Sequence, residues 1–237
     1  MFKKLNVLCV DTSTEACSVA VLCQTATGQV INDKFMLAPR EHTTKILPTV
    51  EQVLEAAGLS LSAMDIIAYG RGPGSFTGVR IGISIAQGLA FGSEKNMVGV
   101  STLQAMAQQA FKTNGAKDVY AAIDARMGEV YFAHYRLSDE LMVLVGEEVV
   151  IKPADLITKQ AEIADDAVLV GSGWAAYPEL TEHFKAAEQS DIEFPSARFM
   201  LDEAVNCINN SLDILPELAT PVYLRDKVTW KKLPGRE

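Results

Sequence analysis

Cysteine and histidine are scarce in this 237-residue chain, and neither is spaced for chemistry. The four cysteines, Cys9, Cys17, Cys23 and Cys207, form no CxxC pair and stand mostly in apolar, strand-like surroundings, where a thiol behaves as a small hydrophobe. His42, His134 and His183 are far apart, and none has a neighbour at the i+3 or i+4 spacing of a helical metal site. Ser75 does not lie in a GxSxG elbow, so spacing assembles no serine nucleophile with its base. Long apolar runs are also missing. The longest charge-free helical stretch, residues 81–93, is too short to span a bilayer, and Asn6 and Asp11 break the N-terminal MFKKLNVLCVD before a signal-peptide core is reached. A soluble, cytoplasmic protein without membrane contact is expected. Positive charge is in deficit: 30 acidic against 21 basic residues leave a net −9, which disfavours autonomous nucleic-acid binding unless a local basic patch overrides the mean field.

What is present is a core-forming composition. Apolar residues make up 49% and charged residues 22%, while sixteen glycines and nine prolines stay far below the level of low-complexity chains. At ~150 residues per domain the length fits one large domain or two modest lobes. Residues 6–11 and 17–23 read as a hairpin, with a third strand at 30–37. Ile46, Val50, Val53, Leu54 and Ala57 then fall at helical spacing and Gly58 supplies a left-handed stop. Pro48 requires that this helix begin near it or kink there. Strands at 65–69 and 96–100 flank the turn GRGPGSFTG (70–78) and a second helix ending near residue 92. Ser101 and Gln104 form a capping-box signature for a third. A comparable cycle follows, with strands at 119–124, 129–137 and 141–150 and a helix opened by Pro153.

The glycine-rich turn has the strand-to-helix context of a phosphate cradle but the wrong spacing. Gly70 and Gly72 find Ser75 where GxGxxG needs its third glycine, and no lysine follows Gly78. In the helix beyond, Gly78, Gly82 and Ala86 recur every four residues, and Gly88 and Gly92 repeat the step. Each interior glycine costs about 1 kcal/mol relative to alanine, so close approach of another backbone is the expected return. That backbone belongs either to the helix's own lobe or to another subunit. Asp11 and Asp124 each end a strand at a turn, where a carboxylate can hold hydrated magnesium in a two-lobed nucleotide-binding fold, or simply cap its own turn.

The segments LNVLCVDTSTEACSVAV, AYGRGPGSFTGVRIGISIAQGLAFG, VSTLQAMA, IDARMGEVYFA, LVGSGW and PVYLR, in this order and across nearly the whole chain, resemble the bacterial TsaB (YeaZ) family. The resemblance implies an α/β, two-lobed actin/Hsp70-like (ASKHA) fold with mixed sheets, flanking helices and a reduced second lobe. The first lobe would span residues 1–108, rejoined by about 214–237, and the second 109–213. It implies a non-catalytic scaffold and activator of the threonylcarbamoyl transferase TsaD, in making threonylcarbamoyladenosine in tRNAs that read codons beginning with A. Expected partners are a metal-bearing TsaD-type paralogue, a TsaE-type ATPase and, in isolation, a second copy of the chain, with tRNA reached only through the complex. The first two helices would carry the interface, through Ile46, Val50, Leu54, Gly78, Gly82, Ile85, Ala86 and Leu89.

TsaD-type proteins carry an HxxxH metal pair after the glycine block. Aligning the blocks puts Thr102 and Met106 there, and neither replaces a ligand. Asp124 is followed by Ala125 and Arg126 rather than paired glycines, and GSGW at 171–174 replaces the adenosine-side motif, so an autonomous ATP site is not expected, although ATP or ADP can sit at the partner junction. Two alternatives stay open: an independent ATP-dependent phosphotransferase using Asp11 and Asp124, and direct tRNA binding through Arg225, Lys227, Lys231, Lys232 and Arg236 around Trp230, against a merely solvated tail.

Overall fold

In the computed structural model, residues 4–160, 163–164 and 166–225 are described. Two five-stranded mixed sheets form the frame. The first contains β1 (Leu5–Asp11), β2 (Ala16–Thr25), β3 (Gly28–Leu37), β4 (Ile66–Gly72) and β5 (Asn96–Ser101) in the order β3-β2-β1-β4-β5. Strands β1, β2 and β3 pair antiparallel, whereas β4 and β5 join in parallel through crossover helices. The second sheet contains β6 (Asp118–Asp124), β7 (Val130–Ser138), β8 (Leu141–Ile151), β9 (Val168–Val170) and β10 (Glu188–Gln189) in the order β10-β9-β6-β7-β8. The same antiparallel-then-parallel plan is thus used twice, giving the two-lobed, actin-like α/β fold expected.

Helices α1 (His42–Ala57) and α2 (Phe76–Ser93) cover one face of the first sheet, where Ile46, Val50, Val79 and Ile83 pack on Leu8, Val10, Val19 and Ile67. Helix α3 (Thr102–Asn114) lies between the sheets. Its Ala105 packs on Val7, Cys9 and Val100, and its Leu103, Met106 and Ala110 pack on Val119, Ala121 and Tyr135. The short helices α4 (Pro153–Lys159), α5 (Gly173–Ala176) and α6 (Pro178–His183) close the far face of the second sheet over Tyr120, Phe132, Trp174 and Phe184. These helices are much shorter than α1 and α2, which is the sense in which the second lobe is reduced.

The chain returns to the first sheet earlier than residue 214. The Ala197 N–H donates to Ser18 Oγ (2.9 Å), and α7 (Leu201–Asn209) packs Leu201 and Ala204 with Val7 and Ala68. Residues 214–225 then run across the lobes as a strap. Ile214 exchanges backbone hydrogen bonds with Met97, and Gln87 donates to the carbonyls of Pro216 and Ala219. The Val222 N–H donates to Arg71 O, and the Arg225 guanidinium reaches Glu129 in the second lobe.

Local signals explain the boundaries. Gly58 ends α1 at φ 64°, and Ser101 Oγ accepts from Gln104 N at the start of α3. The reciprocal half of the capping box does not form, because Gln104 Nε2 donates to Met142 O in the second lobe instead. Helix α1 begins six residues before Pro48 and runs through it, with Pro48 on the exposed side of the helix.

The small residues of α2 have two different reasons. A Cβ on Gly78 would overlap the Thr12 carbonyl oxygen, and one on Gly82 would come within 2.8 Å of Thr12 Oγ1. By contrast, Gly88 and Gly92 have open space. Gly78→Ala is therefore expected to destabilise the fold by about 2 kcal/mol through overpacking, whereas Gly88→Ala should stabilise it by about 0.5–1 kcal/mol through helix propensity alone. Urea denaturation of the two variants checks the opposite signs.

Candidate functional site

The first strand-end carboxylate is built into the protein interior. Asp11 is 1% exposed, and its oxygens accept from Ser13 N (3.1 Å) and Ser13 Oγ (2.9 and 3.0 Å). A side chain at Gly70 would occupy the space of its carboxylate. Thr102 Oγ1 donates to Ser13 Oγ at 3.1 Å, so the start of α3 is tied into the same network. Burial pushes the Asp11 carboxyl up to about 6, against the lowering effect of the Ser13 hydrogen bonds.

Asp124 sits at the equivalent turn of the second lobe. Its Oδ1 accepts from Arg126 N (2.8 Å) and Tyr177 OH (3.0 Å), while its own N–H donates to Ser172 Oγ (3.2 Å). Arg126, Met127 and Gly128 follow at φ 59°, 58° and 77°. Across this hairpin tip, Arg225 donates to the carbonyls of Ala125 and Arg126 and pairs with Glu129 at 2.6 Å. Both carboxylates thus cap their own turns, and an arginine from the strap lies against the second turn.

Between the two turns runs a buried polar junction that sequence spacing did not signal. Glu148 of β8 accepts from Arg71 of β4 (3.2 Å), from Tyr135 OH (2.7 Å) and from Ser101 Oγ. Its side chain is 6% exposed and that of Arg71 29%. Burial, reinforced by the Glu148 charge, holds the Tyr135 hydroxyl well above its ordinary range, so it stays a donor. Arg71, Ser101 and Tyr135 stand 77, 47 and 13 positions from Glu148 in the chain, and only the arrangement of the sheets brings them together.

Other candidates resolve one by one. Met106 is buried, and its terminal methyl approaches the space beside Gly171. His42 contacts Ala16 O, His134 contacts Asp118, and His183 contacts Gln160 O, so each imidazole has a local structural partner. All four cysteines are free thiols; burial raises Cys17 to about 11 and Cys207 to about 12, and Cys9 further still. Arg225 is ion-paired, while Lys227, Trp230, Lys231, Lys232 and Arg236 lie outside the described residues. Among the described residues no helix is long and apolar enough to cross a membrane.

The residues expected at a partner interface separate by burial. Ile46, Val50, Leu54, Gly78, Gly82 and Ala86 are all buried within the first lobe, so they are core and seat residues and not surface. Helical spacing correctly marked one face of each helix, but that face turns inward onto the sheet. Ile85 and Leu89 are half-buried, and the exposed surface of α2 beside them carries Ser84, Gly88 and Gly92. On α1 the neighbouring exposed residues include Leu47, 47% exposed, and Pro48.

Comparison with known proteins gives a consistent set of relatives. The family model described as TsaD, tRNA N6-adenosine threonylcarbamoyltransferase, matches residues 35–232. The tRNA threonylcarbamoyladenosine biosynthesis protein TsaB of Escherichia coli is 48% identical, over 98% of this chain and 100% of its own length. That of Haemophilus influenzae is 46% identical, over 99% and 100%. The solved structure of YeaZ from Pseudomonas aeruginosa is 37% identical and superposes with a TM-score of 0.80, covering 93% of this chain and 100% of its own.

The buried Asp11 makes a pH prediction. A folded-state value of about 6 against 3.8 for an ordinary aspartate means that the folded protein holds this proton more tightly, so charging Asp11 lowers stability as pH rises from about 4 through 6. Asp11→Asn keeps the acceptor for Ser13 and removes that cost. It is expected to be more stable than the parent at pH 7.5 by on the order of 2–3 kcal/mol, with the difference vanishing near pH 4. Thermal unfolding across this range measures it; a variant less stable at pH 7.5 would sink the assignment.

Proposed function

The chain belongs to the TsaB family of tRNA threonylcarbamoyladenosine biosynthesis proteins, and on that premise we propose that it acts in the cytoplasm as the non-catalytic scaffold that docks a TsaD-type transferase on the exposed stripe of α2 and the adjoining surface of α1. It serves threonylcarbamoyladenosine modification of tRNA. The observation that carries the docking surface is the pair Gly88 and Gly92. Both stand in α2, Gly92 in its last turn, with none of the described residues within 4 Å of the missing side chains, so no contact among the described residues accounts for leaving them bare. Half-buried Ile81, Ile85 and Leu89 flank them, and no charged residue occurs between Arg80 and Glu94. A small-residue stripe edged by aliphatic side chains admits a second helix at close range and leaves no charge to desolvate.

The absence of catalysis in this subunit is supported by what stands in place of a metal pair. Thr102 uses its hydroxyl on Ser13, and Met106 is buried in the core between α3 and the second sheet. A lack of autonomous nucleotide binding is supported by Asp11 and Asp124 each capping its own turn and by Arg225 lying on the hairpin that follows Asp124. A TsaE-type ATPase completes the assembly, nucleotide enters at the junction of subunits, and the free chain pairs with a second copy through the same stripe.

The test is in vitro tRNA threonylcarbamoylation with the transferase, the ATPase and the adenylate-forming enzyme supplied, together with size-exclusion analysis of pairing. Product is expected to require this chain. Gly88→Arg should leave folding intact, abolish co-elution with the transferase and reduce product at least tenfold. Gly82→Arg, by contrast, should fail to fold. A Gly88→Arg protein that still co-elutes and supports modification refutes the docking face. Saturable ATP binding by the isolated chain would refute the nucleotide assignment.

A further inference from the structure

Two aromatic rings of the first lobe stand at the surface in an ordered arrangement. Phe76, at the start of α2, is 57% exposed, and Tyr223, on the strap, 46%. Their rings stack with centroids 5.9 Å apart and planes inclined by 29°. Arg80, one turn after Phe76, lays its guanidinium carbon 3.5 Å from the Phe76 centroid and 5.5 Å from that of Tyr223. Its Nε donates to the Tyr223 hydroxyl at 2.7 Å. The strap is fixed on both sides of the tyrosine, by Val222 N donating to Arg71 O and by Arg225 on Glu129. Immobilising a long arginine and two rings costs side-chain entropy, and here it buries little apolar surface. The stack is therefore pre-organised for something flat that lies on it.

The local charge differs from that of the whole chain. Among the described residues no carboxylate lies within ion-pair distance of Arg80, and Arg126, whose backbone carbonyl Arg225 holds, has a side chain 82% exposed with Glu15 3.9 Å away. The remaining acidic groups nearby are engaged: Glu148 with Arg71, Glu129 with Arg225, and Asp124 with Tyr177. An exposed guanidinium laid on stacked aromatics matches the chemistry that holds single-stranded nucleic acid, with rings and a planar cation for the bases and charge for the phosphates.

We propose that Phe76, Arg80 and Tyr223 form a stacking platform for an unpaired nucleobase of the tRNA substrate. The proposal rests on the tRNA-modification reading above. Chemistry on an adenine of tRNA requires that the base be accessible and unstacked from its neighbours, and a platform on the scaffold would hold the displaced segment beside the transferase. The position fits this division of labour. At 100° per residue, Phe76, Arg80 and Gln87 lie about 130° around α2 from the stripe of Ile81, Ile85, Gly88 and Gly92, so one face of the helix serves the protein partner and another the RNA.

The experiment uses the complex of this chain with its transferase and a fluorescently labelled, unmodified tRNA transcript, with affinity read by anisotropy at several salt concentrations. Phe76→Ala and Tyr223→Ala are each expected to weaken binding five- to tenfold with the salt slope unchanged, because a lost stack releases no counterions. Phe76→Trp should retain full affinity. Arg80→Lys, which keeps the charge and loses the plane, should weaken binding at least threefold. Unchanged affinity in both alanine variants overturns the proposal. So does loss of co-elution with the transferase in those variants, which would assign the platform to protein docking. If the parent chain neither pairs with the transferase nor supports modification, it is the tRNA-modification reading that has failed.

Discussion

Everything in the first lobe is organised around a backbone contact that has no room for side chains. The turn after β1 presents the carboxylate of Asp11 and the carbonyls of Thr12 and Ser13 to the loop and first turns of α2, and the facing positions are Gly70, Gly74, Gly78 and Gly82. Ser75 N donates to Ser13 O at 2.7 Å, and Thr12 Oγ1 donates to Gly78 O at 2.7 Å. With the main chains this close, both hydrogen bonds are short, and they hold the start of the helix against the turn after β1. That placement fixes which side of α2 faces outward. The seat also buries an acid at position 11: the turn's hydrogen bonds from Ser13 offset only part of the cost of desolvating its charge, so the carboxyl is pushed up to about 6.

The two lobes are joined by more than a hinge. Helix α3 packs on both sheets, Glu148 gathers Arg71, Ser101 and Tyr135 from separate elements, and the strap runs from Met97 to Glu129. Paired and hydrogen-bonded charges in a buried setting add little net stability, yet they penalise any rearrangement that separates them. The proposed scaffold role uses such a body to hold its surfaces in fixed relation.

Helix α2 shows how one element can carry several duties. Val79, Ile83, Ala86 and Ala90 face the sheet, Gly78 and Gly82 face the Asp11 turn, Gly88 and Gly92 face outward, and Phe76 and Arg80 meet the strap. An all-round apolar helix would ordinarily be buried on every side. Here the outward apolar surface is narrow and free of charge, and it is on this surface that the proposed docking rests.

The sequence by itself determined the element order as far as the helix opened by Pro153, the mixed α/β plan and the family; the short elements after residue 160, from β9 to α7, were not legible in it. Period-two and helical spacings, Gly58, Ser101 and Pro153 mark boundaries through local conformational preferences that need no distant partner, and the glycine block is long enough to be specific. It also identified α2 as exceptional. Only the tertiary structure decided what its small residues do, because glycine spacing records that something comes close and not what. Gly78 and Gly82 meet Thr12, sixty-six and seventy positions away in sequence, whereas Gly88 and Gly92 meet nothing among the described residues. In the same way Arg225 read as one cation of a basic tail until its partner Glu129 came into view, and Tyr223 acquired neighbours only when the strap crossed back over the first lobe. Burial and charge pairing are properties of surfaces brought together by the fold, and residue type alone does not encode which surfaces meet.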